Sequence, residues 1–509
     1  MNKGYALKHS HIAEVSRGTS DLSPPSMQHG RNIRQVGPAQ KNIVRDGCKH
    51  NADCGQLRVM SSPISSLSPL HSSNSSDVLS HSGSTYQCDS DMYNSEINSS
   101  ACNGSHEEIN LEEYSATGSE QASLSFEQSL EVLNLSSHVK NLLITCAAAL
   151  SEAKMDIAEK AMQDIRTSAS VLGDPLERLA AYMSEGLVAR LHASGSTIYR
   201  SLKCREAPAI EVLSAMEKLY EICPYIQFAF MAANGAIAEA FREEPMVHVF
   251  DFQIDQGTQW FSLIQVLASR PGGPPCMRIS TIDDPSVHSY PLGGLDAVKS
   301  KLASFASSLG VPFEFTIISS KLSDLQASMI ERKAGEALAI NFALQLHHMP
   351  DESVCLDNPR DRIIRLCKSL NPKVLTLVEQ DANTNTAPFV ARFVETLDYY
   401  SAVFESIDVA LPRESKERVN VEEHCLARDI VNVIACEGVE RVERHEVAGK
   451  WRARMLMAGF KPHPLSLCVN SAIKSLLESY NQQYRLKEDG EILLLGWKSR
   501  FLLAASAWH

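Results

Sequence analysis

The fold is decided by EEPMVHVFDFQIDQGTQWFSLIQVLASRPGG, residues 243–273. Its apolar run, Val247–Phe252, stops at polar residues and predicts a buried strand. Gly257 then marks a tight turn, and apolar residues from Trp260 to Ala268 follow at helical spacing. A strand, a turn and a helix form the first βα unit of a doubly wound α/β sheet, in which ligands bind above the strand ends. The glycine-rich loop that a dinucleotide requires is missing here.

Length and charge set the broad class. The chain has 509 residues, which predicts about two to four domain-sized units, and 44% of the residues are hydrophobic. Its net charge of -13 argues against a protein that grips nucleic acid by bulk electrostatics, although it leaves room for a local basic patch. The opening residues lack the apolar segment of a signal peptide, and no run of about 18 apolar residues predicts a membrane span.

The 13 cysteines are scattered along the chain without a Cys-x-x-Cys pair. Several of them, such as Cys146, Cys223 and Cys367, lie inside apolar patterns. We therefore expect reduced, buried thiols in an intracellular protein, and not a disulfide framework or a zinc site.

Residues 1–135 differ in composition from the rest of the chain. Serine makes up 16 of the 40 residues from Ser61 to Ser100, and no Lys or Arg occurs between Arg58 and Lys140. Such a Ser-rich, acidic segment buries too little apolar surface to offset its ordering entropy, so we expect a disordered tail. Within it, acids and leucines mix over residues 112–135, which fits either a segment that folds on a partner or a solvated linker.

Residues 138–242 predict a helical cap. The stretch VKNLLITCAAALSEAKMDIAEKAMQDI has apolar residues at helical spacing. Gly173 ends a second helix, and Asp174 and Pro175 are suited to open the next one. Roughly 100 residues of helix thus precede the first strand, which favours a cap or bundle over a βαβ unit.

Residues 243–509 predict an α/β core. Further strands are predicted in CMRISTIDDP, PFEFTII, EALAINFALQLHHM and KVLTLVEQDAN, with helices between them. The last stretch, EILLLGWKSRFLLAASAWH, predicts a hairpin that turns at Lys498–Arg500. The predicted fold class is therefore α/β: a Rossmann-like, class I methyltransferase-like, mostly parallel sheet with a C-terminal antiparallel hairpin, an N-terminal helical cap and a disordered N-terminal tail.

The first strand carries a resemblance to a known family. The string VHVFD resembles the VHIID signature of the plant GRAS family of transcriptional regulators, although Val249 and Phe250 replace its two isoleucines. MRISTIDDP is similar to the LRITGI-type end of the same block. Matching blocks follow in the family's order to the C-terminus, which implies a GRAS domain over residues 136–509. The VHIID-like block consists of Val247, His248, Val249, Phe250 and Asp251.

Two later blocks and two leucine-rich regions extend this resemblance. The strings QLHHMPDESV and RVERHEVAGKWRARMLMAGF look most like the scarecrow-like, phytochrome-A-signalling branch. The PFYRE-like residues are Pro388, Tyr399, Tyr400, Arg444 and Glu446. The SAW-like residues are Trp451, Gly459, Trp497, Ser506, Ala507 and Trp508. The residues of the leucine-rich regions are Leu142, Leu143, Leu150, Leu295, Val298, Leu302 and Leu309.

The resemblance implies a transcriptional co-regulator that acts through protein–protein contacts in plant signalling or development. It implies a nuclear location, no enzyme activity, no cofactor and no metal. The implied partners are DNA-binding transcription factors, including zinc-finger proteins, and other GRAS proteins as homodimers or heterodimers. We expect the helical cap and the surface near the VHIID-like strand to recruit them.

An S-adenosylmethionine-dependent methyltransferase, or a small-ligand sensor, is the alternative on the same fold. On that interpretation Asp251, Gly257 and Asp283 would bind the cofactor. We instead expect Asp251 to cap the following turn, because a single glycine is too few for a loop that approaches phosphate. Asp283 could equally start a turn.

The histidines on the predicted strands are further candidates. His248 lies inside an apolar strand, so we expect a hydrogen-bonded core residue and not a base. His347 and His348 follow the fourth strand, where catalysis or metal binding would fit. No Glu or Cys accompanies them at ligand spacing, so we expect a turn contact.

A modest basic cluster lies around Trp451. We expect it to form a solvated face, with an indirect or weak DNA contact as the other interpretation, since the sequence shows no zinc finger, homeodomain or basic zipper. The cluster consists of Arg441, Arg444, Lys450, Arg452, Arg454 and Lys461.

Overall fold

A computed structural model describes residues 126–192, 208–284 and 293–509. The predicted disordered tail, residues 1–135, lies outside the described residues as far as residue 125. From Phe126 onward the backbone is helical, so the end of that segment belongs to a helix instead. Glu and Leu, which favour helices, are frequent there. The domain boundary near residue 136 stays a prediction.

Helices precede and flank one sheet. The helices before the sheet are α1 (Phe126–Ser151), α2 (Met155–Ser168), α3 (Pro175–Leu191), α4 (Ala209–Ile222) and α5 (Tyr225–Ala240). The later helices are α6 (Thr258–Ala268), α7 (Gly294–Ser308), α8 (Pro359–Ser369), α9 (Phe389–Asp408), α10 (Lys416–Val421), α11 (Ala427–Ala435), α12 (Ala448–Met457) and α13 (Leu467–Leu477). A π-helical turn, Glu422–Leu426, joins α10 to α11. None of the helices in the described ranges is long and apolar enough to cross a membrane.

The sheet has the strand order β3-β2-β1-β4-β5-β9-β8-β7, and β6 pairs with β9. Strands β1 to β5 are parallel, and β9 runs antiparallel to β5. Because β1 lies between β2 and β4, the strand order reverses at β1, and the carboxyl end of β1 is the place where such sheets bind ligands. The strands are β1 (Met246–Asp251), β2 (Cys276–Asp283), β3 (Phe313–Ser319), β4 (Ala337–Ala343), β5 (Val374–Gln380), β6 (Pro462–His463), β7 (Tyr484–Asp489), β8 (Ile492–Trp497) and β9 (Arg500–Trp508).

The predicted fold class is confirmed, with one addition at the C-terminal end. Strands β8 and β9 form the predicted hairpin, which turns at Lys498 and Ser499, and Arg500 already belongs to β9. A further antiparallel strand, β7, pairs with β8 at the edge of the sheet. Its sequence, YRLKED, is mostly polar. This suits an edge strand in which only one residue, Tyr484, is fully buried. The short strand β6 adds a second pairing to β9.

The two faces of the sheet carry separate hydrophobic cores, because side chains alternate along each strand. On β1, Val247 and Val249 belong to the core shared with α5, α6 and α7. Phe250 points to the other face and belongs to the core shared with α8 and α12, which includes Ile363 and Trp451. Helices therefore cover both faces and leave the strand ends as the place for a site.

The helices of the predicted cap, residues 138–242, pack against later helices of the chain, and the bounds of the cap stay a prediction. Helix α3 packs against α9 and α11, and α1 packs against α9. Arg178 of α3 is fully buried and pairs with Glu422 of the π-helical turn at 3.0 Å. Arg418 of α10 pairs with the same glutamate at 2.5 Å. These contacts join segments that are far apart in sequence, so periodicity could not show them.

The leucine-rich residues serve as packing residues in their helices. In α1, Leu143 is fully buried, while Leu142 and Leu150 are half-buried. In α7, which packs on β3, Val298 and Leu302 are fully buried. On either side of these two residues the apolar side chains are less buried, since Leu295 is half-buried and Leu309 is exposed.

The cysteines of the described ranges are mostly free thiols, as expected, and Cys146, Cys223 and Cys367 are buried. Cys468 of α13 is instead disulfide-bonded, so the expectation of thiols alone is wrong at this position. Its spacing from the other cysteines carries no recognisable pattern.

Candidate functional site

The carboxyl end of β1 holds Asp251, whose side chain is almost fully buried. Its Oδ2 accepts a hydrogen bond from the indole Nε1 of Trp260 at 2.8 Å, and its Oδ1 accepts one from the Nδ2 of Asn341 at 3.3 Å. Asp251 also interacts with the backbone of Gln253, as expected for a turn cap. Side chains of α6 and β4 nevertheless hold both carboxylate oxygens, so Asp251 links a helix to the sheet.

Gln259 occupies the space next to this carboxylate. It is buried, its Nε2 donates to Asn234 Oδ1 at 3.1 Å, and its Oε1 accepts from Asn341 Nδ2 at 3.2 Å. Thr376 Oγ1 donates to Asn341 Oδ1 at 2.9 Å from the neighbouring strand. We call these residues, with Trp260, the β1-edge network: Asn234, Asp251, Gln259, Trp260, Asn341 and Thr376. The chain's own polar side chains thus satisfy one another where a cofactor of this fold would bind.

Gly257 is required by packing at this turn. Its φ of 73° is in the left-handed region, which glycine adopts without strain. A Cβ at this position would lie 2.8 Å from Cγ1 of Val298 and 3.3 Å from Cδ1 of Leu302, both on α7. The glycine therefore lets α7 approach the turn, and the space beside it is filled by aliphatic side chains.

The electrostatics of Asp251 follow from its burial. Desolvation raises the pKa of Asp251 to about 7, and the hydrogen bonds from Trp260 and Asn341 oppose that rise. A carboxyl group with such a pKa could act as a general base only if a substrate could reach it. Both of its oxygens already accept hydrogen bonds from the protein.

Asp283 lies at the carboxyl end of β2, beside Ser319 of β3 in the strand register. Its backbone oxygen accepts from the N–H of Ser320 at 3.2 Å, and the neighbouring Asp284 accepts from the N–H of Leu322 at 2.6 Å. The two residues therefore hold the segment that follows β3. The structure does not link either of them to the β1-edge network by a described hydrogen bond.

His248 is fully buried in the middle of β1. Its Nε2 and Ser280 Oγ are 2.8 Å apart, and Arg278 Nη2 donates to its Nδ1 at 3.1 Å. Burial and then the charge of Arg278 lower the pKa of His248 to about 3, so the imidazole is neutral. Arg278 in turn pairs with Glu336, which completes a hydrogen-bonded core group.

Three histidines meet two glutamates beyond the ends of β4 and β5, and we call this group the histidine cluster. His347 Nδ1 donates to Glu379 Oε2 at 2.6 Å, and its Nε2 lies 3.3 Å from Glu443 Oε2. His348 Nε2 lies 3.4 Å from Glu443 Oε1, and His445 Nε2 lies 3.5 Å from Glu443 Oε2. The sequence has no glutamate at ligand spacing from His347 and His348, and the glutamates that contact them, Glu379 and Glu443, come from distant parts of the sequence.

The charges in the histidine cluster depend on one another. Burial disfavours a charged His347, but Glu379 and Glu443 outweigh it and raise the pKa of this imidazole to about 10. Burial and the nearby His347 hold the pKa of His445 well below its usual range. Burial, together with the charge of Glu443, raises the pKa of Asp429. The cluster therefore concentrates carboxylates around imidazoles in a dry environment.

A second buried group, the Arg454 network, lies between α12 and the loops after β4 and β5. Arg454 binds Glu446 through two nitrogens at 2.6 and 2.8 Å, and it contacts Asp351 at 2.8 Å and Asp361 at 2.7 Å. Asn385 Nδ2 donates to Glu446 Oε1 at 2.9 Å. Since paired and hydrogen-bonded charges are the form in which ions are tolerated inside proteins, this arrangement fixes both loops.

The predicted basic cluster is divided between this interior and the surface. Arg441, Arg444 and Arg454 are buried, which contradicts both a solvated face and a DNA contact for these three residues. Lys450 is half-buried and donates to Thr386 at 2.8 Å. Arg452 and Lys461 are exposed. Arginines buried by tertiary ion pairs have no signature in the sequence itself.

The other PFYRE-like residues shape helix α9. Pro388 stands at its N-cap, and the hydroxyl of Tyr399 donates to the backbone oxygen of Leu502 at 3.0 Å. Tyr400 is buried beside Tyr399, and its hydroxyl makes no described hydrogen bond. These residues connect the cap helices to strand β9.

The SAW-like residues attach the last strands to the sheet. Trp508 pairs with Leu375 in the β9–β5 register, and its Nε1 donates to Ser506 Oγ at 3.0 Å. Trp497 is buried on β8, against the ring of Tyr484 at 4.8 Å. The full set lies in α12, in the turn after it, in β8 or in β9: Trp451, Gly459, Trp497, Ser506, Ala507 and Trp508.

Several residues that organise these groups were not predicted from the sequence. Asn341 sits in the β1-edge network, Glu379 in the histidine cluster, and Asp351 and Asn385 in the Arg454 network. Arg360 Nη2 donates to the backbone oxygens of Met349 and Arg444 at 2.8 and 3.0 Å. The only available signal was that Asn341 and Glu379 are polar residues inside apolar strands.

The doubly wound sheet, with its helical cap and its C-terminal antiparallel strands, carries the VHIID-, PFYRE- and SAW-like blocks in the order that the resemblance implies. Residues 139–509 match the GRAS domain family, and the chain belongs to that family. The family prediction from the sequence is confirmed.

Relatives narrow the branch. The chain is 57% identical over 372 residues to chitin-inducible gibberellin-responsive protein 1 of Oryza sativa subsp. japonica. The matched region is 73% of this chain and 65% of that protein. It is 56% identical over 367 residues to scarecrow-like transcription factor PAT1 of Arabidopsis thaliana, and this matched region is 72% of this chain and 75% of that protein. The solved structure of SCL7 from Oryza sativa matches with a TM-score of 0.65 at 36% identity and covers 73% of this chain and 99% of that chain. Scarecrow-like GRAS proteins are plant transcriptional regulators, and the predicted branch is confirmed.

Proposed function

We propose that this chain regulates plant transcription in the nucleus by recruiting DNA-binding proteins, and that it does so without catalysis. The observation that carries the proposal is the β1-edge network. Asp251, Gln259 and Asn341 hydrogen-bond to one another or to neighbouring protein groups at the position where an enzyme of this fold would hold its cofactor. Membership of a family of transcriptional regulators supports the same conclusion.

The methyltransferase alternative receives little support from the same region. Its three candidate residues have other roles: Asp251 binds Trp260 and Asn341, Gly257 makes room for α7, and the backbone of Asp283 holds the segment after β3. A cofactor would have to displace hydrogen bonds that are already made in a buried site, and leaving such groups unpaired costs about 1–3 kcal/mol each.

Recruitment, and not direct DNA reading, also fits the distribution of charge. Three arginines of the predicted basic cluster, Arg441, Arg444 and Arg454, are buried, and the chain carries a net charge of -13. Affinity for DNA depends on lysines and arginines that can reach phosphates. A DNA-binding partner, such as a zinc-finger protein, or a second GRAS chain would therefore supply the contact with DNA.

The helical cap offers an apolar surface for such a partner. Leu172 and Ile210 are 56% and 58% exposed, and four further large apolar residues of the cap are exposed as well. Large exposed apolar surfaces mark protein-binding sites, and we propose that these residues contribute to one. The four further residues are Met155, Ile157, Val171 and Met216.

The proposal is tested by tethering the full chain to a reporter promoter through an unrelated DNA-binding domain in plant cells. We expect a change in reporter output that the double variant Leu172→Ser/Ile210→Ser loses. A matched control, Leu356→Ser, alters a residue that is 100% exposed outside the cap and should leave the output unchanged. Unchanged output with the unaltered chain, together with no transcription factor recovered on it from nuclear extract, would count against the proposal.

A further inference from the structure

The histidine cluster has the composition of a metal site. The side chains of His347, His348 and Glu443 each offer one ligand atom, and these atoms lie within 4.8 Å of one another. His347 and His348 lie in the turn after β4, and Glu443 and His445 lie between α11 and α12. Imidazole nitrogen and carboxylate oxygen are the ligands that Zn²⁺ prefers besides thiolate.

Two distances within the cluster leave room for a tetrahedral ion. His347 Nε2 lies 3.3 Å from Oε2 of Glu443, and His348 Nε2 lies 3.4 Å from its Oε1. Ligands at about 2.0–2.1 Å from a tetrahedral Zn²⁺ are about 3.3–3.4 Å from each other. Direct hydrogen bonds would be shorter, since charge-assisted N–H···O bonds are typically about 2.7–2.9 Å long.

The buried Nε2 of His445 makes no hydrogen bond although it faces the carboxylate of Glu443, which is the second and independent observation. This nitrogen lies 3.5 Å from Glu443 Oε2, and His445 is 1% and Glu443 8% exposed. Buried polar groups are nearly always hydrogen-bonded, so a buried imidazole nitrogen that faces a carboxylate without a hydrogen bond indicates a bound ion or its water at this position.

The far sides of the rings are already oriented as they are in metal sites. His347 Nδ1 donates to the Glu379 carboxylate at 2.6 Å, and His445 Nδ1 lies 2.9 Å from the hydroxyl of Thr384. Metal-binding histidines characteristically use their second nitrogen in this way, which fixes the ring and raises its basicity. The side chain of His348 is 34% exposed and offers a route for the ion from solvent.

We propose that His347, His348 and Glu443 bind one Zn²⁺ ion, whose fourth position is filled by a water held by His445 Nε2. The effect of the ion is to clamp the turn after β4 to the segment before α12, which also carries Arg444 and Glu446. Zinc thereby joins the PFYRE-like block to the sheet.

The test uses the tag-free full chain, stripped with a chelator and then titrated with Zn²⁺, with metal content read by mass spectrometry and with Co²⁺ as a spectroscopic probe. We expect about one Zn²⁺ per chain, the visible bands of tetrahedral Co²⁺, and a higher melting temperature on zinc addition. His348→Ala changes the most accessible ligand and should weaken zinc binding at least about tenfold, as should Glu379→Gln, which alters only the orienting carboxylate. His138→Ala removes an exposed imidazole elsewhere and should bind like the unaltered chain.

Three results would overturn the proposal. The first is the absence of bound metal and of a melting shift, which would leave a buried ion-pair cluster only. The second is zinc retained equally by His348→Ala and Glu379→Gln, which would place the metal elsewhere. The third is octahedral Co²⁺ bands, which would exclude a tetrahedral site. Circular dichroism of each stripped variant shows whether it is folded, so that lost binding is not confused with lost structure.

Discussion

Replacing Trp260 by Phe tests the role of the β1-edge network directly. The substitution keeps an aromatic ring in the core and removes the indole N–H that Asp251 Oδ2 accepts at 2.8 Å. It also removes buried volume, since Trp260 is 0% exposed. Trp451→Phe is the matched control, because Trp451 is equally enclosed but its Nε1 has no hydrogen-bond partner.

The expected difference between the two variants follows mainly from the hydrogen bond, because a Phe at position 451 keeps a ring beneath the Arg360 guanidinium. Both lose a similar volume, so the packing loss is common to them. Trp260→Phe also leaves the buried carboxylate of Asp251 one donor short, and a hydrogen bond to a charged group contributes about 1.5–3 kcal/mol. The indole lowers the pKa of Asp251, which burial raises to about 7. The excess loss should therefore be largest near pH 8, where the carboxylate is ionised, and smaller near pH 5.

Urea unfolding at equilibrium measures both variants, provided that the slope of free energy against urea concentration stays constant. We expect the free energy of unfolding of Trp260→Phe to fall by about 1.5–3 kcal/mol more than that of Trp451→Phe at pH 8. Equal losses at both pH values would refute the reasoning, because Asp251 would then not depend on the indole.

Three further predictions concern the sheet end, the buried charges and pH. Trp508→Ala should cost about 3–5 kcal/mol of unfolding free energy, whereas His509→Ala, at the exposed neighbouring residue, should cost little; equal midpoints would contradict the packing role. Glu446→Gln should cost about 3 kcal/mol, because it leaves Arg454 buried without its main partner, while Glu491→Gln, in an exposed pair, should cost under about 1 kcal/mol; similar losses in thermal unfolding would count against the network. Asp251→Asn should remove a pH dependence of stability. The raised pKa of Asp251 stabilises the folded chain at low pH, and this stabilisation is lost as the pH rises through about 7. Between pH 5 and pH 8 the unfolding free energy of the unaltered chain should therefore fall by about 2–3 kcal/mol relative to the variant, and a constant difference would contradict the buried titration.

The core of the fold could be predicted because its strands are buried on both faces. Strands β1 to β5 are continuous apolar runs that alternate with helices, and periodicity detects such runs. Strand β7 escaped notice because an edge strand exposes most of its side chains and reads as polar. The packing of the cap helices on later helices also escaped notice, because the pairing of Arg178 with Glu422 joins residues 244 positions apart.

The sequence indicated where the candidate site lies, but not which residues contact one another in it. The carboxyl end of β1 follows from the sheet order, so Asp251 could be placed there from the sequence. Its partners Trp260 and Asn341 depend on how α6 and β4 meet above it, and Glu443 reaches His347 and His348 only through the fold. Ion pairs between distant segments have no local sequence signal, which is also why three arginines of the predicted surface cluster are buried.

The most direct measurement is calorimetric titration of the full chain with S-adenosylmethionine. Because the β1-edge network takes the place of the cofactor, we expect no saturable heat up to about 1 mM ligand. Saturable binding that Asp251→Asn abolishes would contradict this expectation, because the crevice above β1 would then accept a ligand.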